Sequence, residues 1–252
     1  MKVVAIVPPA FLPDMNYFQM MYVVDELYID DEGKYTRHSW QDGNRIRTND
    51  GLAWLRVPVV RPVPDAPPIR MKDAEIDYRS TWWKVHLKAI AESYRDSPHF
   101  QSYYPKLESV LIRGWKYLAE LDVALLEEFF KPFLELETPL IRTSTVDYDR
   151  EGTDPTIRLK RFLEKVGATT FVEFEGGKKW IDEGVLKGAG IELRWLHPET
   201  DIYIQLHPGW DGRVSALDTL FCIGPMATGF ARKVEWHDAE VLEDHRDGDF
   251  LG

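Results

Sequence analysis

Residues 3–7 read Val-Val-Ala-Ile-Val and stop at Pro8-Pro9. Apolar, mostly β-branched residues on both faces of an extended run suit a strand covered from both sides, as in a parallel sheet. The next residues narrow the choice. A loop to Pro13 leads to Asp14, a natural cap for a helix over 15–24, where Met15, Phe18, Tyr22 and Val23 recur at helical spacing. Glu26–Ile29 then reads as a second strand ending in Asp30-Asp31. Strand, loop, helix, strand is a βαβ opening.

The rest of the chain continues the pattern. Strands are expected at 52–59, 139–143, 169–174 and 191–196, with Pro58 demoting part of the first to an edge. Pro62, Pro64, Pro67 and Pro68 make an extended connector. Residues 78–95 and 105–130 carry the 3.6-residue period, with Gly114 a kink and Pro132 an end, so a helical layer over about 78–132 is expected. Asp154-Pro155 starts a helix that ends at Gly167, and Ser215 caps one over 215–224. The expected fold class is therefore α/β: a mostly parallel sheet with flanking helices and a helical middle segment, in one domain over 1–234. Residues 235–252 hold seven acids against one Arg and read as a solvated, mobile tail.

Composition excludes several function classes. At 252 residues, 44% hydrophobic and a net charge of −11, the chain reads as a soluble globular protein and not as a general nucleic-acid or anionic-membrane binder. A single cysteine, Cys222, excludes an intrachain disulfide and multi-cysteine metal sites, and fits the cytoplasm. The opening apolar run of five residues is too short for a signal-peptide core, and no run approaches the ~20 residues of a spanning helix. His197, His207, His237 and His245 lack metal-ligand spacing, and no Gly-x-Gly-x-x-Gly, Walker or Gly-x-Ser-x-Gly motif occurs, so neither metal nor cofactor is expected.

Candidate chemistry gathers at 30–47, which carries Asp30, Asp31, Arg37, His38, Asn44, Arg45 and Arg47 between two strands. Loops at strand ends are where open α/β sheets bind ligands. Arg forks take carboxylate or phosphate, and an Asp orients an amine or acts as a base. Residues 34–72 hold eight basic against three acidic residues, a local excess of +5 suited to a nucleotide, phosphopantetheine or tRNA end. His86 shares a helix face with Trp82, Ala89 and Ile90; its titration range makes it the leading general-base candidate, and His38 the second. Each of these residues also has a purely structural reading, as a core histidine or a solvated loop charge.

The ordered segments Val7-Pro8-Pro9-Ala10-Phe11-Leu12-Pro13, Asn16-Tyr17-Phe18, Tyr28-Ile29-Asp30-Asp31, Trp54-Leu55-Arg56-Val57-Pro58-Val59, Trp83-Lys84-Val85-His86, Gly176-Gly177-Lys178-Lys179-Trp180 and Ser215-Ala216-Leu217-Asp218 resemble the WbqC-like family over about residues 3–225. The family usually opens with His-Gln-Pro-Asn, where this chain has Ile6-Val7-Pro8-Pro9. The resemblance implies a role in surface-polysaccharide or natural-product biosynthesis, with transfer of glycine or another acyl unit to an amino sugar. The expected function is thus acyl or aminoacyl transfer using a His/Asp base, with an acyl carrier protein or aminoacyl-tRNA as donor. A non-catalytic carrier-binding protein and a nucleotide-binding transferase are the alternatives. The expected site has His86, Asp30, Asp31 and His38 as catalytic residues. Tyr17, Arg37, Asn44, Arg45, Trp82 and Lys84 would bind substrate, with Gly176, Gly177 and Gln205 on the opposite wall.

Overall fold

A computed structural model describes residues 1–61, 67–199 and 201–237. The strands are β1 (Val3–Val7), β2 (Glu26–Ile29), β3 (Gly43–Thr48), β4 (Gly51–Arg56), β5 (Leu140–Arg142), β6 (Thr170–Phe174), β7 (Glu192–Pro198) and β8 (Val234–His237). The helices are α1 (Met15–Tyr22), α2 (Trp82–Tyr94), α3 (Phe100–Leu111), α4 (Leu118–Leu125), α5 (Lys131–Phe133), α6 (Pro155–Val166), α7 (Glu183–Gly188), α8 (Ala216–Ile223) and α9 (Ala227–Arg232). The main sheet has the order β5-β2-β1-β6-β7-β8. Its first five strands are mutually parallel and β8 is antiparallel to β7. The α/β class with flanking helices holds.

The period-2 alternation of the strands divides two cores. Ala5, Val7, Leu27, Ile29, Val172 and Leu196 face one side, where the helical middle segment, α1, α8 and α9 bury a large apolar cluster. Val4, Tyr28, Phe171 and Trp195 face the other side, under Leu159, Phe162 and Leu163 of α6 and Leu186 of α7. Helix α6 begins as its sequence dictates: Asp154 accepts from the amides of Thr156 and Ile157, Pro155 stands at the first position, and Gly167 closes it with φ 71°.

Three expectations on elements are corrected. The 52–59 strand does not join the main sheet. Instead β4 pairs antiparallel with β3 in a separate two-stranded sheet, because a two-residue turn at Asn49-Asp50 makes the hairpin the nearest partner. The 105–130 helix is three pieces: α3, α4 and a π-helical turn over Leu126–Phe130. Gly114, at φ 74°, breaks the helix outright instead of kinking it, since a left-handed residue cannot continue a right-handed helix. The stretch expected as a tail begins with a strand, β8; residues 238–252 and the connector's 62–66 lie outside the described residues. Among the described residues no helix is long and apolar enough to cross a membrane.

Candidate functional site

Strand β1 leads through α1 to β2 on one side of the sheet, whereas β6 leads through α7 to its other neighbour, β7. Adjacent parallel strands whose connections leave in opposite directions open a crevice at their carboxyl ends, the usual ligand position in such sheets. A cavity of about 850 Å³ lies there. Ile6, Val7 and Pro8 line it from the end of β1, Asp30 from the end of β2, Thr143 after β5, Glu173 and Phe174 from β6, and Leu196–Pro198 from β7. Asn16 and Tyr17 of α1 and Pro155, Arg158, Leu159 and Phe162 of α6 form the flanks. Both helices present their amino-terminal turns, the positive ends of their dipoles.

Four carboxyl groups border this mostly apolar space: Asp14, Asp30, Glu173 and Glu175. Glu173 differs from the others. Desolvation by its apolar surroundings pushes its carboxyl up to about 7, opposed only by the Phe174 amide, which donates to Oε1 at 2.9 Å. Asp30 is also raised by desolvation, but it accepts from Thr143 Oγ1 at 3.2 Å and the Gly33 amide at 3.1 Å, which favour its charged form. Asp14 is raised by burial, countered by the Tyr17 and Asn16 amides and by Arg45. Glu175 is held low by Lys178 at 3.1 Å, with His197 at 3.5 Å on its other oxygen.

The expected site residues divide sharply by position. Tyr17, Asp30, Asn44 and Gly176 line the cavity together. Arg45 follows Asn44 and stacks on Trp40, another lining residue. Asp31 is fully buried and committed to structure: its carboxylate accepts from the Ser144 amide (2.9 Å), Ser144 Oγ (2.7 Å) and Thr143 Oγ1 (3.3 Å), fastening β2 to the turn after β5. His86 is 4% exposed among Trp82 and Phe11 and does not line the cavity; desolvation pushes it down to about 4, against a hydrogen bond with the Arg56 backbone. Trp82 is buried beside it and Lys84 is exposed, both away from the lining. His38 is exposed, with φ 60° and its amide donating to Asp42 Oδ2. Arg37 donates to the Val59 carbonyl. Gln205 belongs to a separate buried network on Asp218, and Gly177 packs behind Glu173.

Sequence reasoning missed Glu173, Arg158 and His197. For Glu173 a signal existed: a lone acid inside Thr169-Thr-Phe-Val-Glu-Phe174, next to Gly176-Gly177, is a charge where a buried strand should have none. Among the described residues no group of three His, Cys, Asp or Glu is placed to hold a metal ion.

The model of the WbqC-like protein family matches residues 8–229, most of the chain and all the residues named around the cleft except Ile6 and Val7. The chain belongs to the WbqC-like family. A relative from Mycobacterium tuberculosis (strain ATCC 25618 / H37Rv), the uncharacterized protein Rv1507c, is 30% identical over 234 residues, covering 92% of this chain and 98% of the relative. No solved structure gives a significant match. Of the WbqC-like segments, the match takes in the Pro8–Pro13 loop, whose Leu12 carbonyl accepts from Asn44 Nδ2 at 2.7 Å and so ties the β1 exit to the β3–β4 hairpin.

Proposed function

We propose that this WbqC-like protein is a group transferase that joins an activated acyl or aminoacyl unit to an amine, with Glu173 as general base. The observation that carries the reading is a carboxyl raised to about 7 at the switch-point cleft. A base poised near neutral pH takes a proton from an ammonium or amine most effectively there. The amine gives its proton to Glu173 and attacks the acyl carbon. A C–N bond forms, the C–S or C–O bond to the donor breaks, and Glu173 returns the proton to the departing thiol or hydroxyl. The amino-terminal turns of α1 and α6 favour the negative charge that develops on the carbonyl oxygen. Asp30, held by Thr143 and the Gly33 amide, orients the amine. In this reading His86 packs the core and is not the base.

In this reading the reaction belongs to natural-product or surface-glycan biosynthesis, and the single, buried Cys222 suits the reducing cytoplasm. An acyl carrier protein or aminoacyl-tRNA would bring the donor. The test is to incubate the protein with carrier-, coenzyme- and tRNA-linked acyl donors and amino-sugar acceptors, and to follow products by mass spectrometry. An amide product is expected. Tight carrier binding without turnover across the whole panel would favour a non-catalytic partner protein instead.

A further inference from the structure

The rim of the cleft carries groups that general-base chemistry leaves unused. Trp40 lines the cavity and lies beside Trp54 of β4, with ring centroids 5.5 Å apart. Both indoles are nearly half exposed, at 46% and 45%. Arg45 is directly opposite Trp54 across the β3–β4 hairpin, so both side chains stand on one face of it. The Arg45 guanidinium sits 5.0 Å from the Trp40 ring and 5.3 Å from the Trp54 ring. Arg56 clamps Trp54 from 3.9 Å and is itself fixed by Asp42 at 2.8 Å.

Arg45 is short of an anion. No carboxylate among the described residues is in ion-pair contact with it: Asp211 acts on it at longer range and is paired with Arg213 at 2.7 Å. Asp14 acts on it only as a charge at longer range, and Arg45 Nε is buried without a hydrogen-bond partner. A cation held by aromatic faces, next to exposed indole surface, matches a planar base joined to a phosphate. A neutral sugar would also stack on an indole, but it offers Arg45 no anion.

We propose that the Trp40–Arg45–Trp54 platform binds the nucleotide handle of the activated donor, the base stacking on the indoles and a phosphate pairing with Arg45. Its role as a donor handle rests on the group-transfer reading; the binding itself does not. The handle is either that of a coenzyme A thioester or the 3′ end of an RNA, and the two give separate arms.

The test titrates the full chain by tryptophan fluorescence and calorimetry with adenosine 3′,5′-bisphosphate in one arm and a CCA trinucleotide in the other, with adenosine and N-acetylglucosamine as controls. At least one phosphate-bearing probe should bind saturably and quench the indoles. Trp40→Ala and Trp54→Ala should each weaken it about tenfold or more. Trp54→Phe, which keeps an aromatic face, should recover part of the loss. Arg45→Gln should weaken the phosphate-bearing probe about tenfold while leaving adenosine unchanged. Melting curves confirm that each variant folds. No saturable binding by either nucleotide, binding indifferent to all three substitutions, or binding of the sugar alone would overturn the proposal. None of those outcomes touches the base role of Glu173, which is read from turnover. Nucleotide binding without turnover on any donor would remove the transferase reading and leave the platform standing.

Discussion

Glu173 stands one residue from the end of a strand whose inner neighbours, Phe171 and Val172, are fully buried. Strand alternation puts its side chain on the Phe171 face, where the cleft has opened and apolar walls withhold water from the carboxylate. Two outcomes follow at this scale. Turnover should rise with pH through about 7 as Glu173 loses its proton, a profile measured as kcat from pH 5 to 9. Glu173→Gln should lower kcat about 10²-fold or more and abolish that rise. The fold should tolerate the change. The native group has its pKa raised, so the folded state holds a proton that the unfolded chain releases between about 4.5 and 7, and above that range ionised Glu173 weighs against folding. The variant should therefore melt no lower than the parent at pH 8. A Glu173→Gln protein with full activity, or a kcat flat across pH 7, sinks the assignment.

The elements are held in register by small, specific contacts. Gly177 lies in the turn after β6, and a Cβ there would sit 2.5 Å from Glu173 Cγ, 3.1 Å from the Trp195 ring and 3.2 Å from Ile181 Cδ1. The indole cannot give way, because Trp195 is packed and donates to Glu183 at 3.0 Å. Gly177→Ala should cost about 1–3 kcal/mol of stability by overpacking and shift the pH midpoint of turnover by displacing Glu173. Denaturant unfolding and the pH profile check the two effects separately. Helix α8 depends on a different device. Ser215 accepts from the Leu217 amide as expected of a cap, but Asp218, in the first turn, is fully buried rather than part of a capping box. It accepts from Tyr94 of α2 (2.8 Å), Tyr203 (2.6 Å) and Gln205 (3.0 Å), joining three segments. Asp218→Ala would strand both phenol donors and should destabilise the fold by about 3 kcal/mol or more. Unfolding within about 0.5 kcal/mol of the parent would show that the network adds nothing to the fold.

Across the molecule, buried and paired titratable groups couple the fold to pH. Burial holds His86 at about 4, below its ordinary 6.5. Between those values the unfolded chain binds a proton that the folded one refuses, so stability falls as pH drops from about 6.5 to 4. The full shift is on the order of 3 kcal/mol. Glu128, held down to about 2 by Arg113 and Lys106, gives up its contribution below about 4.5, in the same direction. Glu173 opposes His86 between about 4.5 and 6.5. The parent Tm should therefore change little between pH 7 and 4.5, where Glu173 and His86 offset each other, and fall below about 4.5, whereas in Glu173→Gln the fall should begin near pH 6.5. In the Glu173→Gln background, His86→Leu should flatten the limb between 6.5 and 4. A Glu173→Gln Tm that holds or rises from pH 6 to pH 4.5 contradicts the linkage.

The sequence by itself determined the parallel sheet, because β-branched runs such as Val3–Val7 and Thr169–Phe174 can be covered on both faces only by crossover helices. It determined α6 as well, whose Asp154-Pro155 start and Gly167 stop are local chemistry. It marked Asp30, Asn44, Tyr17 and Gly176 from their places near strand and helix ends, and all four line the cleft. Only tertiary structure decided which of the paired acids faces the cleft, since Asp30 and Asp31 are chemically alike and both follow the end of β2, one lining the cleft and the other held under Ser144 by the turn after β5. It also decided the place of His86, because helical periodicity reports that a face is buried and not what lies against it. Glu173 depends on the same physics. Its proton affinity is set by the water that α6 and the β7 end keep away, a property of neighbours distant in sequence, and no reading of residue types along the chain contains it.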